Sequence, residues 1–396
     1  MANNGKMKIL IASDAYKKQT NGVTNMVVTL AEELRRRGYE VKVLALSDTI
    51  GSFRDGDDYY ISSFSSPVYP DARQSLVWRS RYLRELKRWN PDIIHIHTEF
   101  SASRMAKLVA HANHTPFVMT AHTDYGKFVQ PVLRSRRLIH AVIKLWSFVA
   151  YHNAKVLTVP SEKGRDIARG YALNCPVVVI PNGIRLEKFQ RSLSQEERAA
   201  LFAQHGLRDN GKLLVAVSRL SREKNLEEII GYMPDLLRED PEVQLLVVGD
   251  GPDKAHLEAL SRELGLAGSV VFTGRIPPDE VYRYYHMGDL FVCASNFEVH
   301  SLTYLEAMTC GLPLLCREDP CLADVMEQGR NGYTYRTERE FIDHALSILH
   351  DRALHDALSE GALKKSDEFG ARRYADRTLE LYKKILEGKR NYADVS

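Results

Sequence analysis

The sequence has little of what membrane-spanning, secreted or disulfide-stapled proteins require. Charged residues break its apolar stretches well before the ~18 residues that a membrane-spanning helix needs. Its first residues, MANNGKMKILIAS, lack the basic, apolar and small-residue succession of a secretory signal. Cysteine is scarce, with five among 396 residues and no CxxC pair, which is unlike a disulfide framework or a zinc site. We therefore expect a cytoplasmic protein whose cysteines are reduced and mostly packed.

Two further absences narrow the class of protein. The turn after the apolar run MKILIAS lacks G-x-G-x-x-G, which disfavours an NAD-dependent enzyme. Asp55-Gly56-Asp57-Asp58 matches the D-x-D signature of metal-dependent transferases, but it lies in a predicted loop rich in glycine and aspartate. His95 and His97 alternate along a strand without an evident third ligand, and we interpret them as structural. We expect no metal and no other cofactor.

Short apolar runs alternate with helical patterns along the whole chain. Such alternation is typical of βαβ units with parallel sheets, and 396 residues suffice for two cores. We predict an α/β protein with two Rossmann-like domains, residues 1–190 and 191–365, joined near the charged stretch RLEKFQRSLSQEER. Residues 366–396 form a predicted C-terminal helix that packs back towards the first domain. Ligands of such folds bind at the carboxyl ends of the strands, so we expect a site in a cleft between two facing sheets.

Charge is distributed unequally along the chain. Residues 1–190 hold 28 Lys and Arg against 16 Asp and Glu, a net charge of +12, whereas the remainder carries −9. Such an imbalance can indicate an anionic partner, either nucleic acid or an acidic membrane surface.

A first candidate site follows the opening strand of the second half. The segment Ser218-Arg219-Leu220-Ser221-Arg222-Glu223-Lys224-Asn225 leads from that strand into a predicted helix. The planar fork of Arg219 and the mobile point charge of Lys224 both suit a diphosphate at the mouth of a sheet. The alternative is a solvated turn with two surface cations.

A second candidate site contains two glutamates that follow the apolar run LFVCAS. A helix beginning near Ser301 would aim unpaired backbone N–H groups at an anion, with Glu306 about one turn inside. The carboxylates of Glu298 and Glu306 could then grip sugar hydroxyls. The alternative is that Glu306 is a surface residue and Glu298 only complements the helix dipole.

Taken in order, these motifs resemble the retaining glycosyltransferases of family 4, which have the GT-B fold. The matching succession in the second half is SRLSREKN, VVGDGP, VVFTGRIPPDEVYRYYHMGDLFVCAS, and E-x7-E within FEVHSLTYLEAMTCGLPLL. In the first half, MKILIAS, DIIHIHTEF, MTAHTDYG and VPSEKGRDI fall in the family's order. Each motif is weak alone, but their joint order and spacing are specific and cover nearly the whole chain.

The resemblance implies a role for each matching residue. Arg219 and Lys224 would bind the diphosphate and stabilise it as leaving group, while Glu306 would hold the ribose. Glu298 would contact the transferred sugar. His122 would lie across the cleft near that sugar, unless its ring is simply satisfied at a strand end. Besides the catalytic set of Arg219, Lys224, Glu298 and His122, the resemblance implies a donor-binding set of Asn21, Gly22, Ser218, Gly249, Arg275, Ile276, His300, Ser301, Leu302, Thr303 and Glu306.

One position departs from the commonest family pattern, E-x-F-G-L. The chain reads Glu298-Val299-His300-Ser301-Leu302, with Ser301 in place of glycine. A serine still offers its backbone N–H to a phosphate and can cap a helix. Phosphate binding at this turn is therefore still expected.

The basic character of the first half is concentrated after Asp124, because the next acidic residue is Glu162. Basic side chains interleave there with apolar and aromatic ones, as in helices that lie on membranes. The alternative is an ordinary amphipathic helix packed on the sheet. With the net charge of +12, the pattern favours docking to anionic lipid and no nucleic acid partner. The residues expected to contact acceptor or membrane are Asp124, Lys127, Arg134, Arg136, Arg137, Lys144 and Trp146.

We accordingly expect transfer of a hexose to a lipid hydroxyl, with glucose, UDP and diacylglycerol favoured. The wording from Thr303 to Met308, TYLEAM, is similar to that of bacterial enzymes that glucosylate diacylglycerol. A front-face route would keep the α configuration, since no carboxylate is evidently placed as a covalent nucleophile. A soluble or polyprenyl-linked saccharide acceptor, or a nucleotide-sugar epimerase of the same fold, are the alternatives. The protein would work in the cytoplasm, peripheral at the inner face of the cell membrane, in an oligomeric state that the sequence leaves open.

Overall fold

The structure is a computed structural model. It describes residues 6–17, 22–65, 73–77, 79–124, 135–210, 212–389, 391–392 and 395. The chain divides into two compact units, one of residues 1–184 with 371–396 and the other of residues 185–370. Four of the residues proposed from the sequence are not covered: Asn21, Lys127 and Arg134 lie outside the described residues, as does the side chain of Arg136.

The strands that the structure describes in the first unit are short, and most of them join one sheet. They are β1 (Lys8–Ser13), β2 (Glu40–Leu46), β3 (Phe53–Asp55), β4 (Asp58–Ile61), β5 (Phe64–Ser65), β6 (Arg73–Gln74), β7 (Ile93–Ile96), β8 (Phe117–Thr120), β9 (Val156–Val159) and β10 (Val177–Val179). The sheet has the order β10-β9-β8-β7-β1-β2-β4-β3, and β5 pairs separately with β6. Its pairs are parallel except β3 with β4. The parallel strands are nearly continuous apolar runs because both of their faces are buried.

The helices of the first unit come from both ends of the chain. They are α1 (Gly22–Arg36), α2 (Arg81–Trp89), α3 (Ser101–Asn113), α4 (Arg136–Tyr151), α5 (Glu162–Arg169) and a C-terminal helix (Ala371–Leu386). The C-terminal helix packs on α1, where Arg37 pairs with Asp376 and donates to the carbonyl of Arg372 at 2.8 Å. The last helix of the chain thus belongs to the first unit.

The second unit contains one parallel sheet within the described residues. Its strands are β11 (Leu213–Val217), β12 (Gln244–Val248), β13 (Val270–Gly274), β14 (Leu290–Cys293), β15 (Leu314–Arg317) and β16 (Gly332–Tyr335), in the order β13-β12-β11-β14-β15-β16. The helices are α6 (Leu186–Phe189), α7 (Gln195–His205), α8 (Leu226–Glu239), α9 (Lys254–Glu263), α10 (Val281–Tyr285), α11 (Leu302–Thr309), α12 (Glu338–His350) and α13 (Arg352–Ser366). None of the helices in the described ranges is long and apolar enough to cross a membrane.

Two segments differ from their sequence-based expectation. The expected linker RLEKFQRSLSQEER contains α6 and the start of α7, because Ser194 and Glu197 form a capping box. The Asp55–Asp58 segment, expected as a loop, is the turn of the β3–β4 hairpin. Asp58 is buried there and pairs at 2.6 Å with both Lys17 and Arg35.

Both sheets have a switch point beside their first strand. The strand β1 lies between β2 and β7, and β11 lies between β12 and β14, so the chain continues in opposite directions on the two sides. Loops that leave such neighbours diverge and open a crevice at the carboxyl ends of the strands, where ligands of this fold class bind.

Candidate functional site

The switch point of the second unit carries two charged residues that the sequence analysis placed in one site. Lys224 ends the 3-10 turn Arg222–Lys224 after β11, and Glu298 lies in the loop after β14. Nζ of Lys224 forms an ion pair with Oε1 of Glu298. The fold therefore brings together two side chains that are 74 positions apart.

This ion pair is largely sheltered from solvent. The side chains of Lys224 and Glu298 are 23% and 16% exposed. Burial alone would lower the pKa of Lys224, but the adjacent Glu298 carboxylate outweighs it and the pKa is raised. Lys224 is therefore a cation at neutral pH, as an anion-binding role requires.

A hydroxyl that the sequence analysis missed connects the two loops. Oγ of buried Ser295 lies 3.3 Å from the carbonyl oxygen of Glu223 and 3.3 Å from Oε1 of Glu298. Its single proton can be donated to either acceptor. The available signal was its place as the last residue of the run LFVCAS, where a polar side chain ends a buried strand.

Two glycines after β12 allow a close approach to the loop that carries Arg219. A Cβ at Gly249 would lie 1.9 Å from the carbonyl oxygen of Ser218, and one at Gly251 would lie 2.2 Å from that of Leu220. Gly249 also has φ +139°, which L side chains rarely adopt. The exposed Arg219 thus stands between two residues whose backbone is packed against a neighbouring loop.

Helix α11 begins where the sequence predicts, with Ser301 at the N-cap in extended conformation. The Ser301 side chain forms no capping bond to the backbone, contrary to the possibility raised above, because its Oγ lies 3.0 Å from Oγ1 of Thr303. The first N–H groups of the helix, including that of Leu302, are consequently not capped by this serine. Uncapped N–H groups at a helix N-terminus can bind an anion.

Glu306 lies one turn inside α11 and is half-buried. Tyr285 Oη donates a hydrogen bond of 2.8 Å to its Oε2. Burial penalises the charged form and raises the pKa of Glu306 to about 7, although Tyr285 and the charge of Lys188 act in the opposite direction. The carboxyl group is therefore partly protonated near neutral pH, unlike that of a surface glutamate.

The remaining donor-binding candidates of the second unit occupy different environments. Burial lowers the pKa of His300 to about 4, so its ring is neutral. Leu302 and Thr303 are half-buried in the first turn of α11. Arg275 is exposed after β13, whereas Ile276 packs against the core beside it. Arg275 thus presents a positive charge after the carboxyl end of β13, and the packing of Ile276 anchors the segment that carries it.

The candidates of the first unit follow β1 and β8. Gly22 is the first residue of α1. His122 is half-buried, and its Nε2 lies 3.1 Å from Nδ1 of His97. Burial lowers the pKa of His122 to about 4, so its ring is neutral at physiological pH. Asp124 lies two residues further on and is also half-buried.

The two histidines of the β7 segment have different partners. Nδ1 of His95 lies 2.6 Å from Tyr382 Oη of the C-terminal helix, and its Nε2 lies 2.6 Å from Thr120 Oγ1. His97 contacts His122 instead, an association that needs the pairing of β7 with β8 and was not foreseen. In the parts of the chain that are described, no three His, Cys, Asp or Glu side chains are grouped so that they could hold a metal ion.

Helix α4 presents an apolar stripe to solvent. The exposed fractions are 50% for Leu138, 39% for Val142, 68% for Leu145, 44% for Phe148 and 63% for Val149. Leu138, Val142, Leu145 and Val149 follow helical spacing and therefore share one face. Arg137 and Lys144 are exposed on the same helix.

Trp146 was expected to contact acceptor or membrane together with these cations, and its surroundings differ from those of the exposed Arg137 and Lys144. Its half-buried ring packs against the core of the first unit, 5.8 Å from the ring of Tyr151 and 6.2 Å from that of Tyr171. The helix has apolar residues on two sides, and Trp146 lies on the side that contacts the core of the first unit.

Both halves of the chain match family models of glycosyltransferases. Residues 197–365 match the family model described as glycosyl transferases group 1, and residues 20–188 match that of glycosyltransferase family 4. The alpha-monoglucosyldiacylglycerol synthase of Streptococcus pneumoniae is 31% identical over 95% of this chain and 85% of its own. The enzyme of the same name from Acholeplasma laidlawii is 28% identical over 96% of this chain and 98% of its own.

A solved structure shares the fold at lower identity. The crystal structure of Anabaena HepE in complex with UDP-glucose has a TM-score of 0.71 and 18% identity, covering 95% of this chain and 99% of the other. At this identity the likeness concerns the fold alone.

Proposed function

The chain belongs to the glycosyltransferases of family 4 and has the GT-B fold, and from this premise we propose that it transfers a hexose from a nucleoside diphosphate sugar to a lipid hydroxyl. The observation that carries the donor half of the proposal is the Lys224–Glu298 pair at the switch point of the second sheet. The observation that carries the acceptor half is the exposed apolar stripe of α4.

The donor is proposed to bind at the carboxyl ends of β11 and β14. Arg219 and Lys224 supply positive charge for the diphosphate, and the N–H groups at the start of α11, around Ser301 and Leu302, supply further donors. Lys224 has three N–H donors, so it can bridge the Glu298 carboxylate and a phosphate oxygen. UDP and glucose are the proposed nucleotide and sugar, supported by the named product of the two synthases and by the ligand of HepE.

Three side chains are proposed to contact the sugar parts of the substrate. Glu306, whose Oε2 already accepts a bond from Tyr285, is proposed to accept from the ribose hydroxyls with its other oxygen. Glu298 is proposed to contact the transferred hexose. In the first unit, His122 is proposed to bind a hydroxyl of the same hexose.

We propose that the reaction retains the α configuration. The bond between the anomeric carbon and the β-phosphate oxygen breaks while the acceptor oxygen bonds to the same face of that carbon. The acceptor proton passes to the departing phosphate. Charge builds up on that phosphate, and Arg219 and Lys224 stabilise it, which is the kind of fixed electrostatic support that dominates many enzymatic rate enhancements. No cofactor or metal takes part in this route.

The acceptor is proposed to be diacylglycerol at an anionic membrane. The stripe on α4 would enter the boundary between lipid headgroups and acyl chains, and Arg137 and Lys144 would contact anionic headgroups. The net charge of +12 on residues 1–190 acts in the same direction. The protein would accordingly be a cytoplasmic enzyme, peripheral at the inner face of the cell membrane.

A matrix of donors and acceptors tests this proposal. UDP-glucose, UDP-galactose and GDP-mannose, each labelled in the sugar, are incubated with vesicles containing dioleoylglycerol, with a soluble oligosaccharide, with a polyprenyl-linked saccharide, or with no acceptor. We expect label in the lipid fraction from a UDP-sugar with dioleoylglycerol. Product only with a saccharide would replace the acceptor, and conversion of one UDP-sugar into another without acceptor would indicate an epimerase.

A further inference from the structure

The hydrogen bonds around His95 have a determinate direction. The carbonyl oxygen of Met119 can only accept, so the Thr158 hydroxyl at 3.3 Å donates to it. Thr158 has no second proton, so Thr120 donates to Thr158 over 2.6 Å. Nε2–H of His95 must then donate to Thr120, and its Nδ1 accepts from Tyr382. Each proton of this chain has one place, and His95 is the Nε2–H tautomer.

The neighbouring pair, His97 and His122, has two possible arrangements. Burial lowers the pKa of both rings, so both are neutral at physiological pH. Their contact of 3.1 Å joins Nδ1 of His97 to Nε2 of His122. Either His97 donates its Nδ1–H, or His122 donates its Nε2–H, because one proton serves one bond.

The surroundings of His97 decide between the two. Its Nε2 is buried and has no hydrogen-bond partner among the residues that the structure describes. The ring of His95 lies beside it, with centroids 4.1 Å apart, but both nitrogens of His95 are already engaged. A proton on Nε2 of His97 would leave a buried N–H without an acceptor, a defect that folded proteins rarely tolerate. A proton on Nδ1 is instead used in the bond to His122.

We infer that His97 is a positioning residue that holds His122 in its Nδ1–H tautomer. Because Nε2 of His122 accepts from His97, its one remaining proton resides on Nδ1. His122 then meets a substrate hydroxyl as a hydrogen-bond donor, and the hydroxyl must present a lone pair to it. The identity of that hydroxyl, on the transferred hexose, rests on the proposed function, whereas the tautomer does not.

Nuclear magnetic resonance of the full chain tests the tautomer directly. Long-range ¹H–¹⁵N correlation spectra of protein labelled with ¹⁵N-histidine distinguish protonated from bare ring nitrogens, and the single variants H95Q, H97N and H122N assign the three rings. At pH 7 we expect Nε2–H for His95 and Nδ1–H for His97 and His122. A His122 ring protonated on Nε2, or on both nitrogens, would overturn the inference.

Matched variants test the consequence for activity. His97→Phe keeps a planar ring but removes the donor, so His122 should lose its Nδ1–H preference and kcat/KM should fall about tenfold, the scale of one hydrogen bond. His97→Asn places an amide N–H near the position of Nδ1–H and should restore both the Nδ1–H tautomer of His122 and the wild-type kcat/KM. His111→Asn, on an exposed residue of α3, is the control and should change neither. An unchanged His122 spectrum in H97F contradicts the positioning role, and the wild-type spectrum decides alone if H97F does not fold.

The tautomer of His122 and the contact of His122 with the sugar can be contradicted separately. If His122 has the expected tautomer but His122→Phe transfers hexose at the wild-type rate, the tautomer stands and the proposed contact of His122 with the sugar is wrong. If His122→Phe is impaired while the wild-type ring is protonated on Nε2, the contact stands and the role of His97 is wrong.

Discussion

Nζ of Lys224 and Oε1 of Glu298 form an ion pair at the switch point of the second sheet, where the strand order reverses. The two residues follow β11 and β14, which are hydrogen-bonded neighbours although β12 and β13 separate them in sequence. The contact is thus a product of strand order. It places a permanent cation beside a carboxylate at the edge of the sheet where this class of fold binds its ligands.

Loss of the Lys224 cation should impair turnover. We expect Lys224→Ala to lower kcat by on the order of 10²-fold or more, by analogy with the removal of one group that stabilises developing charge. The measurement is steady-state transfer with saturating donor. Lys364→Ala, on an exposed lysine of α13, is the matched control and should keep the wild-type rate. Unchanged turnover in K224A would remove the leaving-group role.

The pH dependence of stability should report the burial of Glu306. Its pKa in the folded protein is about 7, above the ordinary value of 4.5, so the folded state binds this proton more tightly than the unfolded chain. The corresponding stability is fully present below pH 4.5 and is lost as the pH rises through 7. Glu306→Gln cannot ionise and should melt close to the wild type at pH 4.5 but about a few degrees higher at pH 8.

Thermal unfolding followed by circular dichroism at both pH values makes this comparison. Glu360→Gln, on an exposed residue of α13, should leave the melting temperature unchanged at each pH. If the melting temperatures of E306Q and the wild type differed by the same amount at pH 4.5 and at pH 8, the carboxyl group would not titrate in this range.

Membrane binding should depend on the exposed stripe of α4. Leu145→Glu removes the most exposed of the large apolar side chains described on the helix and adds a charge. Burying a leucine contributes about 1.5–3 kcal/mol, so sedimentation with anionic vesicles should show binding weakened about tenfold or more. Leu363→Glu, 44% exposed on α13, should bind like the wild type. Absence of wild-type binding to anionic vesicles at low salt would contradict the proposed acceptor location.

Removal of divalent cations should leave transfer intact. The proposed route meets the charge of the diphosphate with Arg219, Lys224 and the N–H groups at the start of α11, so excess EDTA should not change the rate. Initial rates with and without chelator provide the measurement. Activity that disappears in EDTA and returns with Mg²⁺ or Mn²⁺ would show that these groups are insufficient.

Much of the fold was predictable because its signals are local. Apolar runs separated by helical periods predicted two parallel sheets, and the order of motifs predicted the family. A capping signal in the expected linker, Ser194 with Glu197 three residues later, was present but its polar composition masked it. The β3–β4 hairpin was missed because its strands are short and its turn, with Gly56 and Asp57, has the composition of a loop.

Contacts between segments that are distant in the chain were harder to predict from the sequence. Strand alternation placed His95 and His97 on one face, but only the register of β7 with β8 shows that His97 meets His122. Helix α4 is apolar on two sides, and only packing shows that Trp146 lies on the side that contacts the core of the first unit. The role of Ser295 likewise depends on the adjacency of two loops that the sequence does not reveal.

The anomeric configuration of the product tests the central claim most directly. The enzyme is incubated with UDP-α-glucose and vesicles containing dioleoylglycerol. The coupling constant between protons H1 and H2 of the glucose is then measured in the purified lipid product by nuclear magnetic resonance. The account predicts one glucose in α linkage to the free hydroxyl of the glycerol. A β-linked product would contradict retention, and a dioleoylglycerol that stays unglycosylated with every nucleoside diphosphate sugar would contradict the lipid acceptor.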